Sequence, residues 1–432
     1  MASIKKLGTY GLENICNTCF MNAVIQCMSN CIPISDSILS TKPNNMIPKS
    51  IQSYVTIKYL INGKDNLTDK EKEIFNQYLL LSDVAIGDLI KIRDFVKEYI
   101  KDKKKLDINK LLSDIRKQFP YIKWHSSDNA NIKSINLFMD NPKDNYYTIL
   151  NNIGSMTLSL QYIFLQQKNT PNPYTTFPLK SDFIKMGHMV KLFSQMDYKN
   201  VNLTIGAQQD SHELLNFFIN NMLNEMNDNR CLTEKIYKST NTATWKKNIS
   251  NCSELQKNIT ILEENIIHCP ACNEKSTTIT INTNFMLSLI EYEGKTQKSI
   301  ATVEDALLNH LQSEYVNYVC SKCPSDKAKK IINILIWPNA LIICLKRFPT
   351  VNKKITHAVS YSHKLIINET IAYNLVGVLC HSGTTIQSGH YYSYCRNRYD
   401  GKWYQYNDNS VNPVDSARNY FVEVYMLFYE KI

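Results

Sequence analysis

Apolar positions along the chain change period several times, and each change marks an element. In 18-TCFMNAVIQCMSNC-31, Phe20, Val24, Cys27 and Cys31 recur at i, i+4, i+7 and i+11, which is one face of a helix. A short polar side chain at Asn17 or Thr18 can cap its start by accepting an orphan backbone N–H. The stretch 207-AQQDSHELLNFFINNMLNEM-226 repeats the helical pattern, with Leu215, Phe218, Met222 and Met226 on one face. Asp210 and Glu213 form a D-x-x-E resembling a capping box at its start, so capping alone accounts for Asp210. Gln208 and Gln209, just outside, need another reason to be there. The run 331-IINILIWPNALIICLKRF-348 is nearly all apolar but is broken by Asn333, Pro338 and Asn339. It predicts two buried strands, too interrupted for a membrane span. Near the end, 390-HYYSYC-395 and 403-WYQYN-407 alternate as strands do. Asp400-Gly401 between them is a turn signal, so the two predict a hairpin with His390 roughly opposite Asn407.

At 432 residues the chain is long enough for two domains or one large multi-lobed enzyme domain. Hydrophobic residues at 44% and charged residues at 20% allow a sizeable core. The net charge of +10 is spread over dispersed lysines, apart from 101-KDKKK-105, and reads as a solvated basic surface. Nucleic-acid binding needs clustered basic residues interleaved with aromatics, and none are present, so no nucleic-acid partner is expected. The N-terminus lacks the apolar core of a signal peptide. The thirteen cysteines are an odd number without a secretory signal. Free thiols in a reducing compartment, cytoplasmic or nuclear, fit better than a disulfide framework.

Four of those cysteines fall within residues 16–31. Cys27 and Cys31 lie on the apolar helix face and behave as small buried hydrophobes. Cys19 sits in the first turn, where free N–H groups and the helix dipole favour a thiolate. An inert thiol is equally open to a lone cysteine there. A nucleophilic cysteine needs a base, and the base a third group to hold it. His390, with Asn407 across the hairpin and Asp408 beside it, meets both needs. His381 is the nearest rival and lacks a comparably placed partner. The Ser/Gly/Thr-rich 382-SGTTIQSG-389 predicts a mobile loop beside this site. Two C-x-x-C pairs, Cys269 with Cys272 and Cys320 with Cys323, can close a tetrahedral four-thiolate zinc site with no open position, hence structural. A redox role for unrelated pairs is the alternative. The strand-like 276-STTITINTNFMLSLI-290 lies between them.

Taken together, these motifs resemble the ubiquitin-specific proteases, papain-like cysteine deubiquitinases. The stretch 11-GLENICNTCFMNAVIQ-26 looks like the family's Cys box and 208-QQDSHELL-215 like its central box. Its His box resembles 377-GVLCHSGTTIQSGHYYSY-394 with 403-WYQYND-408, and 341-LIICLKRF-348 and 425-YMLFY-429 match core strands. The resemblance implies an α+β papain-like fold of thumb, palm and zinc-bearing β fingers, a single catalytic domain over 1–432 with the fingers at about 230–335. Cys19 would be the nucleophile, His390 its base, Asn407 the orienter helped by Asp408, and Asn14 an oxyanion donor. Gln209 and Asp210 would lie along the channel for ubiquitin's C-terminal tail, Tyr391 would flank it, and the 382–389 loop would move aside for substrate. One structural zinc and no catalytic cofactor are implied, with ubiquitin and ubiquitinated proteins as partners.

The chain departs from the family pattern in three places. Cys16 stands where a glycine is usual, and its Cβ threatens to strain the turn before the nucleophile. The orienter is Asn407 rather than Asp, as in some members. A Lys-rich segment of helical pattern at about 41–150, including 84-VAIGDLIKIRDFVKEYI-100 and 107-DINKLLSDIRKQF-119, reads as an insert of unknown partner. Within it, 126-SSDNANIKSINLFMDN-141 loosely echoes 208-QQDSHELLNFFINN-221. Two rival functions remain: a ubiquitin-binding scaffold that has lost catalysis, and a zinc-dependent nucleic-acid binder. The first needs loss of the Cys or His, both of which are present. The second rests on charge and zinc alone, and a salt-sensitive gel shift would expose it.

Overall fold

The computed structural model describes residues 7–41, 156–168, 183–187, 189–190, 206–226, 242–293, 296–350, 352–386, 388–415 and 422–432, with isolated positions between 91 and 118. The chain divides into two compact units, Met1–Ser40 with Ser159–Ile432, and Thr41–Leu158. In the second unit the described positions between 91 and 118, among them Lys91, Asp94, Phe95, Glu98, Asp114 and Lys117, are helical. The expected insert at 41–150, with its helical faces and the echo at 126–141, otherwise lies outside the described residues.

The larger unit is built on an eight-stranded sheet. Its strands are β5 (Phe285–Leu287), β10 (Ala340–Leu345), β11 (Lys364–Asn368), β12 (Ile371–Thr385), β13 (Ser388–Arg396), β14 (Trp403–Asn407), β15 (Ser410–Val414) and β16 (Val424–Lys431). The order is β15-β14-β13-β12-β16-β10-β5, with β11 paired to β12. Alternate side chains of each strand point to opposite faces. One face carries Leu341, Ile343, Leu345, Val378, Leu427 and Tyr429, which pack with Val303, Ala306 and Leu307 of α7 (Val303–Leu311) in the main apolar core. Against the other face lies α1 (Cys19–Asn30). It approaches closely at Gly377, where an added Cβ would sit 3.3 Å from Cys27 Sγ. Cys27 Sγ is also 3.8 Å from Cys395 Sγ, so Cys27 is a core cysteine as its spacing predicts.

Every residue of α1 is buried, beyond the single face its apolar spacing marks, because α2 (Ile32–Ser40) and α4 (Ser211–Met226) cover its remaining sides. Polar residues facing inward are paired: Gln26 Nε2 donates to Tyr10 O at 2.9 Å, and Gln167 of α3 (Met156–Gln167) donates to Gln26 Oε1 at 3.1 Å. Thr18 occupies the N-cap position but makes no side-chain cap bond. Its backbone N–H is taken instead by Asn14 Oδ1 at 2.9 Å. Short strands β1 (Gly11–Leu12) and β2 (Phe183–Ile184) pair in parallel ahead of this turn.

A second, four-stranded antiparallel sheet has the order β4-β3-β9-β8, from β3 (Ile261–His268), β4 (Lys275–Asn282), β8 (Glu314–Asn317) and β9 (Lys327–Ile336). The interrupted apolar run thus forms two strands, β9 and β10, in two different sheets, parted at Pro338 and Asn339. Helix α5 (Thr242–Ser250) packs Trp245 and Ile249 on Leu262 at the sheet's base, beside α6 (Glu254–Ile259). A separate two-stranded ribbon joins β6 (Ile290–Glu293) and β7 (Thr296–Ser299). Eleven described cysteines are free thiols, and Cys252 is disulfide-bonded. Among the described residues no helix is long and apolar enough to cross a membrane.

Candidate active site

Cys19 opens α1 and is 2% exposed. The turn before it is conformationally unusual, for Cys16 has φ +52° and Asn17 φ +66°. Asn tolerates that left-handed region through its short polar side chain, and Asn17 Nδ2 donates to Gly206 O at 3.1 Å. Cys16 has no such reason to adopt it, so the strain expected from a Cβ in place of glycine is present.

His390 lies near the start of β13. Its Nε2 is 2.6 Å from Asn407 Oδ1, an acceptor, so Nε2 carries a proton and Nδ1 is left for the sulfur of Cys19, with which the ring hydrogen-bonds. That bond is the largest influence lifting the ring's pKa to about 9. The Asn407 bond and the charges of Cys19 and Asp408 add to it, against the opposing effect of burial. An imidazolium beside the sulfur is the environment in which a cysteine acts as a nucleophile.

The hairpin register differs from the sequence expectation. Ser393 pairs with Tyr406 and Tyr394 with Gln405, so continuing the ladder sets Tyr392 opposite Asn407. His390 meets Asn407 diagonally, from the same face as Tyr392, whose ring stacks near its own at 6.4 Å and 18°. Diagonal neighbours of this kind remain within reach of long side chains.

Asp408 is 4.0 Å from His390 Nε2, beyond a hydrogen bond. Its carboxylate faces the start of α1, accepting from Asn14 Nδ2 at 2.7 Å and Asn22 Nδ2 at 2.8 Å. Asp408 has φ +49°, and its carbonyl accepts from Leu12 N at 2.9 Å. It therefore clasps the end of β14 to the cysteine-bearing helix. Asn22 was not singled out by sequence reasoning. Its signal is the i+3 spacing from Cys19, which sets both at the helix start facing the same strand end. Asn14 keeps one amide N–H beyond the bond to Asp408.

From the central box, Asp210 caps α4, accepting from His212 N at 2.8 Å, and also takes the Tyr425 hydroxyl at 2.7 and 2.9 Å. Gln208 gains the reason it lacked: its Nε2 donates to Gly389 O, one residue before His390. Gln209 is half-buried in the turn before α4. Tyr391 is buried, its ring 4.5 Å from His381 and 6.4 Å from Tyr425. Strand alternation turns it to the face opposite His390, into the interior. His381 is fully buried and stays neutral, pushed down to about 3 by burial and by the charges of Lys354 and His390.

At the tip of the second sheet, Cys269 and Cys272 occupy the β3–β4 turn and Cys320 and Cys323 the β8–β9 connection. Their four sulfurs lie within 4.8 Å of one another, with Cys269–Cys323 and Cys272–Cys320 both at 3.6 Å. Roughly 3.8 Å is the edge of a tetrahedron with zinc–sulfur arms of about 2.3 Å, so the set has the size of a metal cage. Backbone N–H groups of Cys272 and Ala271 hold the Cys269 thiol down at about 6, against desolvation. Cys272, despite the Glu274 N–H that favours its thiolate, is pushed up to about 12 by desolvation and by the neighbouring sulfurs. Four thiols this close need a cation to ionise together, and this donor set fits one.

A family model described as ubiquitin carboxyl-terminal hydrolase matches residues 10–429. The chain is 28% identical over 255 residues to ubiquitin carboxyl-terminal hydrolase 8 of Saccharomyces cerevisiae, covering 53% of this chain and 51% of that protein. It is 27% identical over 256 residues to ubiquitin carboxyl-terminal hydrolase 16 of Arabidopsis thaliana, covering 56% and 24%. The matches thus span about half, or less, of those relatives' length. Among solved structures, the SAGA DUB module bound to ubiquitin aldehyde is similar over 100% of this chain and 71% of that chain, with a TM-score of 0.54 and 18% identity. The module bound to monoubiquitin gives a TM-score of 0.53 and 18% identity over 98% and 69%. At that identity the likeness is one of fold, and the α+β architecture read from the sequence is shared with these modules.

Proposed function

The chain belongs to the ubiquitin carboxyl-terminal hydrolase family, and we infer that it is a thiol-dependent deubiquitinase that hydrolyses the bond after ubiquitin's C-terminal glycine in conjugates or chains. The observation that carries this reading is the His390 ring held between Cys19 and Asn407 with its pKa lifted to about 9. Cys19 Sγ attacks the glycine carbonyl. His390, already protonated, gives its Nδ1 proton to the leaving amine, and the ring then accepts a proton from the water that hydrolyses the thioester. Asn407 keeps the ring in the tautomer that faces the sulfur. The free N–H of Asn14, with backbone N–H groups at the start of α1, stabilises the oxyanion. Asp408 holds Asn14 in place for that role. Gln209 and Asp210 border the path of the ubiquitin tail, Asp210 through its hold on Tyr425, and Tyr391 backs the same wall from inside.

The four-cysteine cluster is assigned to one structural zinc, held by Cys269, Cys272, Cys320 and Cys323. Bound there, the ion supplies folding energy to the sheet tip and takes no part in hydrolysis. Residues 1–432 are read as one catalytic domain, with the segment at about 41–150 inserted into it.

Hydrolysis of ubiquitin bearing a C-terminal amide-linked fluorophore tests the reading. The wild-type chain should release the fluorophore. Binding of ubiquitin without release would favour the scaffold reading.

A further inference from the structure

The β12–β13 hairpin that carries His390 is held from below by a lysine no part of the catalytic reading uses. Lys354 lies in the segment that follows β10. That segment is tied down by the buried Arg347, whose guanidinium donates to Val424 O at 2.5 Å, Ile355 O at 2.8 Å and His357 O at 3.1 Å. Lys354 Nζ has three N–H bonds and three acceptors: His381 O at 2.5 Å, Gly383 O at 3.1 Å and His381 Nδ1 at 3.1 Å. The two carbonyls flank Ser382, which is the cross-strand partner of His390.

His381 passes the constraint to the other strand. It is fully buried, its backbone N–H bound to Glu423 O at 2.8 Å and its ring against Phe348 at 5.3 Å. A Cβ added at Gly389 would lie 2.6 Å from His381 Nε2 and 2.3 Å from Ser382 O, and Gly389 has φ +152°. Only glycine lets the outgoing strand lie this close, and the next residue is His390. One ammonium thus fixes the strand entering the loop directly, and through the imidazole it fixes the strand leaving it.

We propose that Lys354 is a positioning residue of this active site, which fixes the end of the β12–β13 hairpin, paired in the structure where a loop was expected at 382–389, and, through Ser382 and Gly389, the aim of His390. The inference rests on His390 serving in catalysis as proposed above. Lys354 is held down at about 8 by burial and by Arg347, against the attraction of Glu423 and Cys380, so it is charged at neutral pH. A methionine of similar length keeps the stem's packing and removes every latch bond. An arginine keeps the charge and donors.

Hydrogen–deuterium exchange across residues 377–392, compared in the wild-type chain, Lys354→Met and Lys354→Arg, is the direct test. Lys354→Met should raise exchange at the hairpin end and over the first residues of β13 about tenfold while β3 and β10 keep their protection. Lys354→Arg should restore most of that protection. On the ubiquitin–fluorophore substrate, Lys354→Met should lower kcat about tenfold with KM within about threefold, because aim is lost and ubiquitin's binding surface is not. Should Lys354→Met not fold, Lys354→Leu, which likewise lacks any N–H donor, gives the same comparison. Unchanged loop exchange, or loosening spread equally over both sheets, would overturn the proposal. A wild-type chain that cleaves nothing would refute the deubiquitinase reading, and the exchange comparison would still decide the role of Lys354.

Discussion

Cys16 adopts φ +52° in the turn that presents Cys19. A side chain there costs about 1 kcal/mol or more relative to glycine, part of which glycine returns as extra freedom of the unfolded chain. Cys16→Gly is therefore expected to gain about 0.5 kcal/mol, read as a higher urea midpoint at unchanged slope, with activity kept. A lower midpoint would show that the thiol makes contacts outweighing the strain. His390 gives a second test at this scale. Its pKa of about 9 means the protonated ring persists through neutral pH, and kcat/KM should fall as pH rises past about 9. Asn407→Ala removes a bond that raises that pKa, so the alkaline limb should move to lower pH and kcat should drop at least about tenfold. An unmoved limb would separate Asn407 from the ring. The positions of Cys19, His390 and Asn407 were legible because each sits at a helix start or strand end that local pattern marks. Asn22 and the latch of Lys354 were not, since their partners lie 386 and 27 residues away and only the fold brings them together.

Elements were legible where period and breakers agreed. The break at Pro338 and Asn339 separates β9 from β10, and the Asp400-Gly401 turn closes β13 on β14. Register was not, because a turn spanning 397–402 allows more than one pairing, and His390 meets Asn407 on the diagonal. Inward and outward faces of β13 were equally hidden, because its aromatics alternate with more aromatics; Tyr391, expected to flank the channel, has its ring in the interior. The two C-x-x-C pairs were legible from spacing alone, and the fold sets their sulfurs within 4.8 Å. Metal analysis of the purified chain should return one zinc per molecule. Chelation should loosen exchange protection in β3, β4, β8 and β9 before the larger sheet, since binding energy there is folding energy. Active protein without zinc would refute the assignment.

For the whole molecule, long additions between elements cost little closure entropy, so a catalytic domain can carry an insert between two motifs that must converge. The segment at about 41–150, proposed to be an insert, contains none of the residues assigned to the site. Replacing residues 45–145 by a short Gly/Ser linker should leave hydrolysis of the small ubiquitin–fluorophore substrate within about tenfold, a barrier change of about 1.4 kcal/mol. A folded deletion that no longer binds ubiquitin would place the insert in the binding surface. Cys19, hydrogen-bonded to His390 at the start of α1, is proposed as the nucleophile of a deubiquitinase. Ubiquitin carrying a C-terminal electrophile, followed by mass mapping of the adduct, tests it most directly. One ubiquitin should be joined covalently to Cys19 and none to the Cys19→Ala chain. Attachment at Cys16 or another thiol, or binding of the probe without reaction, would contradict it.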